Sequence, residues 1–463
     1  MCGIAGTADT TPAAPVLYHL LHALQHRGQE SAGIFVWDGT SVQKQKGYGL
    51  VSEVFSDADL KRFTGTVGIG HVRYPTTGGS KPENIQPFHF LFRGHSLSVV
   101  HNGNLVNTEA LRDEYAGRGV TFSSTSDTEV IGTVLAGELV KGKSPEDAVL
   151  FALQKLSGSY AVICMLDGQL FGFRDPLGIK PFCMGKTKTG GYILASESAA
   201  LDAVGAELLR DVRPGEFVLV GTDGIVSSQL VKAESPAHCI FEYIYFARPD
   251  SILDGVPVYD VRRKTGEILA RESSAAAEMV SPVPDSGTAS AVGFAKQSGI
   301  PFREALIKNR YTGRTFILPS QEKRELGVRM KLNPVRSHVQ NRSVILVDDS
   351  IVRGTTAKRI LSLVRDFGAA EIHLRIASPP VIAPCYLGTD FPTREELISS
   401  AKTVDEVRDT IGASTLVHVS LSGLIEASGL PKESLCLGCL TGVYPLEIAG
   451  EICEKKKMCV YRR

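Results

Sequence analysis

Residues 344–356 have the sequence Val344-Ile345-Leu346-Val347-Asp348-Asp349-Ser350-Ile351-Val352-Arg353-Gly354-Thr355-Thr356. The first four are apolar, as in a strand that is buried on both faces of a parallel sheet. Two acids follow, and a small, hydroxyl-rich loop then leads into a helix that is predicted to begin at Ala357. Ligands of open α/β sheets bind at the carboxyl ends of the strands, so the stretch predicts a binding loop.

The loop from Ser350 to Thr356 has the chemistry of a phosphate site. Backbone N–H groups and hydroxyls at a helix N-terminus favour an anion, and Gly354 allows close approach. Asp348 and Asp349 would repel a phosphate, so we expect them to accept hydrogen bonds from the 2′- and 3′-hydroxyls of a ribose. Two adjacent acids could instead cap the helix, but the thirteen-residue pattern favours ribose 5-phosphate. It resembles the signature of type I phosphoribosyltransferases, and this resemblance assigns phosphoribosyl pyrophosphate to all nine residues from Asp348 to Thr356.

The rest of the second half fits a mostly parallel sheet. Isolated apolar runs alternate with helical segments, which is typical of a sheet covered on both faces. The other runs that we predict as strands are Met279 to Pro284, Thr315 to Leu318 and Glu371 to Ala377.

The first half has a different pattern, with short β-rich runs separated by turns. Asp167-Gly168 joins two such runs and predicts a hairpin, while helices are predicted from Leu17 to Gln25 and from Thr128 to Leu139. A chain of 463 residues is long for one core, so two domains are expected. We place them at residues 2–235 and 236–463.

Composition excludes several classes of function. Lys plus Arg and Asp plus Glu number 50 each, so the net charge gives no indication of nucleic acid or of a membrane surface. No apolar run is long enough to span a bilayer, and no signal segment precedes residue 2. We therefore expect a cytoplasmic protein whose nine cysteines stay reduced. A reducing compartment favours metal binding or catalysis by cysteine over disulfide formation.

Cys2 stands directly after the initiator methionine. Removal of Met1 would leave Cys2 with both a thiol and a free α-amino group, which titrates near 8 and can act as its own general base. On position alone, an incidental cysteine at a frayed terminus is the simpler interpretation.

Five motifs of the first half favour the catalytic interpretation. They resemble the class II glutamine amidotransferases, which have an N-terminal nucleophile and an αββα sandwich fold. In chain order they are Cys2-Gly3-Ile4-Ala5-Gly6, His26-Arg27-Gly28-Gln29-Glu30-Ser31, His71-Val72-Arg73-Tyr74-Pro75-Thr76-Thr77-Gly78, His101-Asn102-Gly103-Asn104-Leu105 and Ser126-Asp127-Thr128-Glu129.

The chemistry of glutamine hydrolysis explains these residue types. Arg73 can bind the α-carboxylate of glutamine, and Asp127 can pair with its α-ammonium. Attack by the Cys2 thiolate on the side-chain amide builds an oxyanion, for which the Asn102 side chain and the Gly103 N–H are suitable donors.

The order of the two halves resembles the glutamine phosphoribosylpyrophosphate amidotransferase family. That resemblance implies that glutamine, phosphoribosyl pyrophosphate and water give 5-phosphoribosylamine, glutamate and pyrophosphate, the committed step of purine synthesis. It implies a pyrophosphate loop at Pro284-Asp285-Ser286-Gly287, one Mg²⁺ held by Ser286, Asp348 and Asp349, and a flexible loop at about 308–335. It also implies a homo-oligomer, with a tetramer suggested, and inhibition by purine nucleotides.

Four cysteines match the positions at which one branch of that family binds a [4Fe–4S] cluster, one per subunit: Cys239, Cys385, Cys436 and Cys439. On chemistry alone, four thiolates suit zinc equally well. Cys436-Leu437-Gly438-Cys439 by itself could be a redox pair, half of a zinc site or a pair with no function. We expect Cys164 and Cys183 in the core, and Cys453 and Cys459 on the surface. Because Cys2 follows Met1 directly, we expect methionine removal to suffice for maturation.

Two other functions compete with this interpretation. The glutaminase half could serve another acceptor, as in hexosamine-phosphate synthases or asparagine synthetases, but the 344–356 stretch argues against both. The chain could also be a non-catalytic phosphoribosyl-binding sensor with an iron–sulfur cluster, but a sensor has no use for an oxyanion hole.

Overall fold

The computed structural model describes residues 1–74, 79–221, 224–273, 275–309, 332–391, 393–454 and 458–461. The predicted strand at 315–318 and most of the predicted loop at 308–335 lie outside these residues.

The first half forms two stacked antiparallel sheets. One has seven strands in the order β11-β9-β10-β1-β4-β2-β3, and the other has six in the order β13-β12-β8-β7-β6-β5. The strands are β1 Gly3–Ala8, β2 Ser31–Trp37, β3 Val42–Tyr48, β4 Val67–Arg73, β5 Phe88–Phe92, β6 His95–Leu105, β7 Gly158–Leu166, β8 Gln169–Arg174, β9 Cys183–Lys186, β10 Tyr192–Ala195, β11 Glu207–Asp211, β12 Glu216–Gly221 and β13 Gly224–Gln229.

Helices cover the outer face of each sheet. Ala13–Ala23 packs on the first sheet and Asp127–Leu139 on the second, while Ile4 and Ile163 meet in the apolar layer between the sheets. This arrangement confirms the predicted αββα sandwich. The helices of this half are Ala13–Ala23, Val51–Val54, Asp57–Arg62, Thr108–Ala116, Asp127–Leu139, Pro145–Lys155 and Ser198–Ala203, with a 3₁₀ turn at Pro82–Asn84.

Local signals explain several of these elements. Asp167 and Gly168 both have positive φ angles and join β7 to β8, as the hairpin pattern predicted. The Ser126 side chain accepts from the Thr128 N–H and caps the helix Asp127–Leu139. The first helix, however, spans Ala13–Ala23 rather than 17–25, because it begins directly after Pro12 and Leu24 leaves helical geometry.

The second half is built on a four-stranded parallel sheet in the order β18-β21-β22-β23. It confirms the predicted mostly parallel sheet, and β23 is a strand that the sequence pattern did not predict. The remaining strands are β14 Val231–Ala233, β15 His238–Cys239, β16 Ile252–Leu253, β17 Val256–Pro257, β18 Met279–Pro282, β19 Leu306–Lys308, β20 Leu332–Pro334, β21 Ser343–Asp348, β22 Glu371–Ile376, β23 Thr415–His418, β24 Leu435–Cys436, β25 Val443–Tyr444, β26 Ile452–Cys453 and β27 Met458–Val460.

The helix after β21 begins at Thr355, two residues earlier than predicted. Its N-cap is Gly354, whose φ of 73° lies in the left-handed region that glycine adopts without strain. The other helices of this half are Val258–Glu272, Thr288–Ser298, Arg336–Val339, Ile398–Ala401, Val404–Ile411, Leu421–Ser428 and Gly438–Thr441, with a π-helix at Glu242–Phe246 and 3₁₀ turns at Arg394–Glu396 and Lys432–Ser434.

Strand pairing also connects the C-terminal region to the boundary between the two halves. β27, near the C-terminus, pairs with β14, so the end of the chain returns to the boundary region. The division at 235/236 stays a prediction. Among the described residues, no helix has the length and apolar character needed to cross a membrane.

Candidate active sites

Cys2 is buried and lies directly before β1. Its N–H donates to Asn102 Oδ1 at 3.2 Å, and its Sγ lies 3.9 Å from the carbonyl oxygen of Tyr74. The Arg27 Nε–H donates to the carbonyl oxygen of Cys2 at 2.9 Å. The backbone of Cys2 is therefore held on both sides.

The side-chain amide of Asn102 has a donor that is available to a ligand. Its Nδ2 is buried and has no hydrogen-bond partner among the described residues, although leaving a buried donor unpaired is unfavourable. The next residue, Gly103, has φ 150°, and a Cβ there would lie 2.0 Å from the Ser159 carbonyl oxygen. This tight strand geometry presents the Asn102 amide towards Cys2, where an oxygen atom of a ligand could accept from it.

Asp127 lies at the start of its helix, within reach of the same strand. Its Oδ2 accepts from the Leu105 N–H at 3.1 Å, and its Oδ1 lies 3.5 Å from His101 Nδ1. Burial favours a higher pKa for Asp127, but His101 and backbone N–H groups outweigh it, so the pKa lies below its ordinary value. The group is a carboxylate at neutral pH and can accept an ammonium.

Arg73 is paired with Glu30, a residue that sequence reasoning did not single out. Its Nη1 bonds to the Glu30 carboxylate, and its Nη2 donates to the Gly79 carbonyl oxygen at 3.0 Å. Glu30 belongs to the His26–Ser31 motif, which was the available signal. A substrate carboxylate would share the guanidinium with Glu30.

The amino terminus is buried next to Cys2. Burial lowers the pKa of the Met1 α-amino group to about 6. Lys180 Nζ lies 2.8 Å from the Met1 sulfur.

A second group of polar residues lies at the carboxyl end of the parallel sheet. Asp348 ends β21 and accepts from the Asp349 N–H at 2.9 Å. The Val283 N–H donates to the Val347 carbonyl oxygen at 2.8 Å, which holds the loop containing Ser286 against the end of β21. A Cβ on Gly287 would lie 2.2 Å from that same carbonyl oxygen, so the loop can approach this closely only with glycine.

The two acids repel each other. Both are buried, and burial together with the charge of Asp349 raises the pKa of Asp348 well above its usual range. A cation or a pair of hydroxyl donors would relieve this repulsion. Arg353, in the following loop, pairs with Glu396 at 2.6 Å.

The four predicted cluster cysteines come together from three parts of the second half. Cys239 and Cys436 are directly opposite each other in the parallel pair β15/β24. The N–H groups of Ile382 and Ala383 donate to the Cys439 carbonyl oxygen at 3.0 and 3.1 Å, which places the segment before Cys385 beside Cys439.

Burial and neighbouring thiols raise the pKa values of Cys436 and Cys439. Burial raises the pKa of Cys439, and so do Cys385, Cys239 and Cys436, in that order. Burial and the neighbouring thiols likewise raise the pKa of Cys436 to about 12. Within the part of the chain that the structure describes, however, no three Cys, His, Asp or Glu side chains are grouped so that they could hold a single metal ion.

Known proteins match both halves of the chain. A family model described as a glutamine amidotransferase domain matches residues 74–203. The amidophosphoribosyltransferase of Archaeoglobus fulgidus is 48% identical over 462 residues, which cover 98% of this chain and 100% of that protein. The amidophosphoribosyltransferase of Bacillus subtilis is 44% identical over 454 residues, which cover 96% of this chain and 94% of that protein.

Two solved structures have the same fold. One, described as the allosteric regulatory enzyme of purine biosynthesis, gives a TM-score of 0.91 with 43% identity and covers 97% of each chain. The other, the glutamine phosphoribosylpyrophosphate amidotransferase of B. subtilis complexed with ADP and GMP, gives a TM-score of 0.90 with 42% identity and covers 97% of this chain and 98% of that one.

Proposed function

Because the chain belongs to the amidophosphoribosyltransferase family, we propose that the two sites described above carry the two halves of that enzyme's reaction. The enzyme converts glutamine, phosphoribosyl pyrophosphate and water into 5-phosphoribosylamine, glutamate and pyrophosphate, the first committed step of purine synthesis. The competing functions lose their support, since the relatives match the phosphoribosyl half as well as the glutaminase half.

Glutamine is hydrolysed at Cys2. After loss of Met1, the α-amino group of Cys2 takes the thiol proton, and the thiolate attacks the side-chain amide carbon. Asn102 Nδ2 and the Gly103 N–H donate to the oxyanion, while Arg73 and Asp127 bind the α-carboxylate and α-ammonium. The amine returns its proton to the departing ammonia, and water then hydrolyses the thioester to glutamate. The support is the buried Asn102 Nδ2 beside Cys2, for which the described part of the chain offers no hydrogen-bond partner.

Asn102→Ala is expected to lower kcat for glutamine by about 10²–10³-fold, because one oxyanion donor is lost. Asn107→Ala is the control, since the Asn107 side chain likewise bonds the backbone, at Lys155 O and the Ser157 N–H, each at 3.0 Å. Steady-state glutaminase assays of both variants decide the point. An equal loss in the two variants would contradict the assignment of the oxyanion donor to Asn102.

Phosphoribosyl pyrophosphate binds at the acidic pair. We propose that Asp348 and Asp349 hold the ribose hydroxyls and that residues 350–356 hold the 5-phosphate at the start of the helix Thr355–Asp366. Ammonia from the Cys2 site attacks C1 of the ribose, and pyrophosphate leaves towards the loop that contains Ser286.

The same residues fit one Mg²⁺. This ion is held in many proteins by one or two carboxylates together with substrate phosphates rather than by a full protein cage, which agrees with two acids and one hydroxyl at this sheet edge. When bound, Mg²⁺ would neutralise charge on the pyrophosphate.

We propose that Cys239, Cys385, Cys436 and Cys439 bind a [4Fe–4S] cluster. Besides burial, the other three thiols each raise the pKa of Cys439, which supports one group shared by the four cysteines. The resemblance of their positions to those of the iron–sulfur branch of the family favours the cluster over zinc. The Leu387 N–H, which donates to Cys385 Sγ at 3.4 Å, would stabilise a ligating thiolate.

Protein purified without oxygen is expected to be brown and to contain about four irons per chain. Cys436→Ser and Cys439→Ser should give insoluble protein, because cluster binding contributes to folding. Cys453→Ser and Cys459→Ser are the controls and should leave solubility and iron content unchanged. Zinc in place of iron, or a requirement for Cys453 rather than Cys439, would show that the ligand assignment is wrong.

Assembly, regulation and location extend this proposal. We propose a homo-oligomer, with a tetramer as the family suggests, in the cytoplasm. Binding of ADP and GMP to the B. subtilis relative supports inhibition by purine nucleotides.

A further inference from the structure

We infer that Glu242, a residue of the second half, positions the Cys2 backbone through Arg27. The inference rests on the proposed role of Cys2 as nucleophile and adds a residue that belongs to neither substrate site. It follows from a buried contact that runs from the second half of the chain to the carbonyl group of Cys2.

Arg27 is the centre of this contact. Its Nε–H donates to the Cys2 carbonyl oxygen at 2.9 Å, and its two terminal nitrogens donate to the two oxygens of Glu242 at 3.0 and 2.7 Å. This bidentate geometry fixes the plane of the guanidinium, and with it the direction in which Nε–H points. The orientation of the donor to Cys2 is thus set by a carboxylate from the other half.

The contact is fully desolvated. The Arg27 side chain has no solvent exposure, and those of Glu197 and Glu242 have 0% and 2%. Glu197 also bonds to Arg27, and it accepts from the Ser251 hydroxyl at 2.7 Å and the Arg248 N–H at 2.9 Å. Because these side chains are shielded from solvent, removal of one partner weakens the bonds of the others.

Glu242 is itself held by the phosphoribosyl half. It begins the π-helix Glu242–Phe246, whose Tyr243 carbonyl oxygen accepts from Arg262 Nε at 2.8 Å. The Arg262 carbonyl oxygen in turn accepts from the Ser290 hydroxyl at 3.0 Å. Ser290 belongs to Thr288–Ser298, the helix that follows the pyrophosphate loop.

These contacts form a continuous path from that helix to the nucleophile. A shift of the helix would move Arg262, then Glu242 and then the guanidinium that holds Cys2. We therefore assign to Glu242 the role of holding the Cys2 backbone in a fixed position relative to the phosphoribosyl site.

Asp254 provides a matched control. It is also a carboxylate of the second half that binds a buried arginine of the first, since Arg174 donates to its two oxygens at 2.7 and 2.9 Å. Arg174 does not touch Cys2; its other bonds go to the carbonyl oxygens of Gly178, Lys180 and Val212 and to His238. Asp254→Asn thus weakens the contact between the halves without acting on the nucleophile.

The test compares Glu242→Gln with Asp254→Asn in the full-length, iron-loaded enzyme. For Glu242→Gln, kcat with glutamine should fall by about tenfold or more, because small displacements of a reacting group have large effects on rate. KM for glutamine should change little, since Arg73 and Asp127 are untouched, and synthesis from ammonia should stay within about twofold. Asp254→Asn should leave the glutamine-to-ammonia activity ratio at the wild-type value.

Glu242→Asp keeps the charge and shortens the side chain. It serves as the second variant where Glu242→Gln fails to fold, and it should lower the same ratio by a smaller factor. Equal ratios in the Glu242 and Asp254 variants, or a parallel loss of iron and of both activities, would overturn the inference. Cys2→Ala in the same assays distinguishes failure of the proposed nucleophile from failure of the Glu242 inference. If Cys2→Ala keeps glutamine-dependent synthesis, the proposed nucleophile is wrong. If it loses that activity while the Glu242 variants match Asp254→Asn, only the role of Glu242 is wrong.

Discussion

Replacing Cys2 by alanine is expected to lower glutamine-dependent synthesis by about 10⁴-fold or more, as removal of a catalytic nucleophile does. Synthesis from ammonia at high concentration should persist, because the phosphoribosyl residues lie on a separate sheet in the second half. The measurement is the rate of 5-phosphoribosylamine formation with glutamine and, separately, with ammonia, in a protein whose amino terminus has been determined by mass spectrometry.

Cys183→Ala is the control for this variant. Cys183 is buried, like Cys2, and lies in the same half, within β9. It should lower thermal stability without changing the ratio of the two activities. Loss of both activities in a folded Cys2→Ala enzyme would mean that the halves are not chemically independent.

Replacing both Asp348 and Asp349 by asparagine should have the complementary effect, with synthesis lost from either nitrogen source. Two hydrogen bonds to charged groups, at about 1.5–3 kcal/mol each, correspond to a loss of about 10²–10⁴-fold. Glutaminase activity without phosphoribosyl pyrophosphate should largely survive. The fold should tolerate the change, because burial and the charge of Asp349 already disfavour the ionised form of Asp348.

Binding of phosphoribosyl pyrophosphate to this double variant, followed by titration calorimetry, gives the direct reading. Asp366→Asn is the control, since Asp366 ends the helix that the phosphate loop begins and is exposed. Unchanged affinity in the double variant would show that the ribose assignment is wrong.

The sequence predicted the local structure of the 344–356 stretch well, a strand followed by a loop and a helix, because these elements are contiguous. A strand, an acidic pair and a loop in direct succession need no distant partner to be recognised. Even there the helix begins two residues earlier than predicted. Its start follows the left-handed conformation of Gly354, with φ 73°, which glycine allows but which the sequence alone does not specify. The short strand β23 was missed because four residues carry too little periodicity.

The ion-pair partners of the candidate site residues could not be predicted from the sequence. Arg73 and Glu30 are 43 positions apart in the chain, and Arg27 and Glu242 are 215 positions apart. Periodicity and spacing describe which face of an element is buried, whereas the choice of a distant ion-pair partner depends on how the layers stack. The residue roles proposed from the motifs therefore stay predictions until the variants above are measured.

The pairing of β14 with β27 has a consequence for synthesis on the ribosome. The sandwich is complete once residue 229 has emerged, and domains that emerge first generally fold first. Val231 of β14 and Cys239 precede their pairing partners, Val460 and Cys436, by more than 190 residues. They therefore cannot pair until the end of the chain has been synthesised. We expect iron to enter only at the end of translation, so stalled chains ending at residue 434 should hold a protease-resistant sandwich without retaining iron.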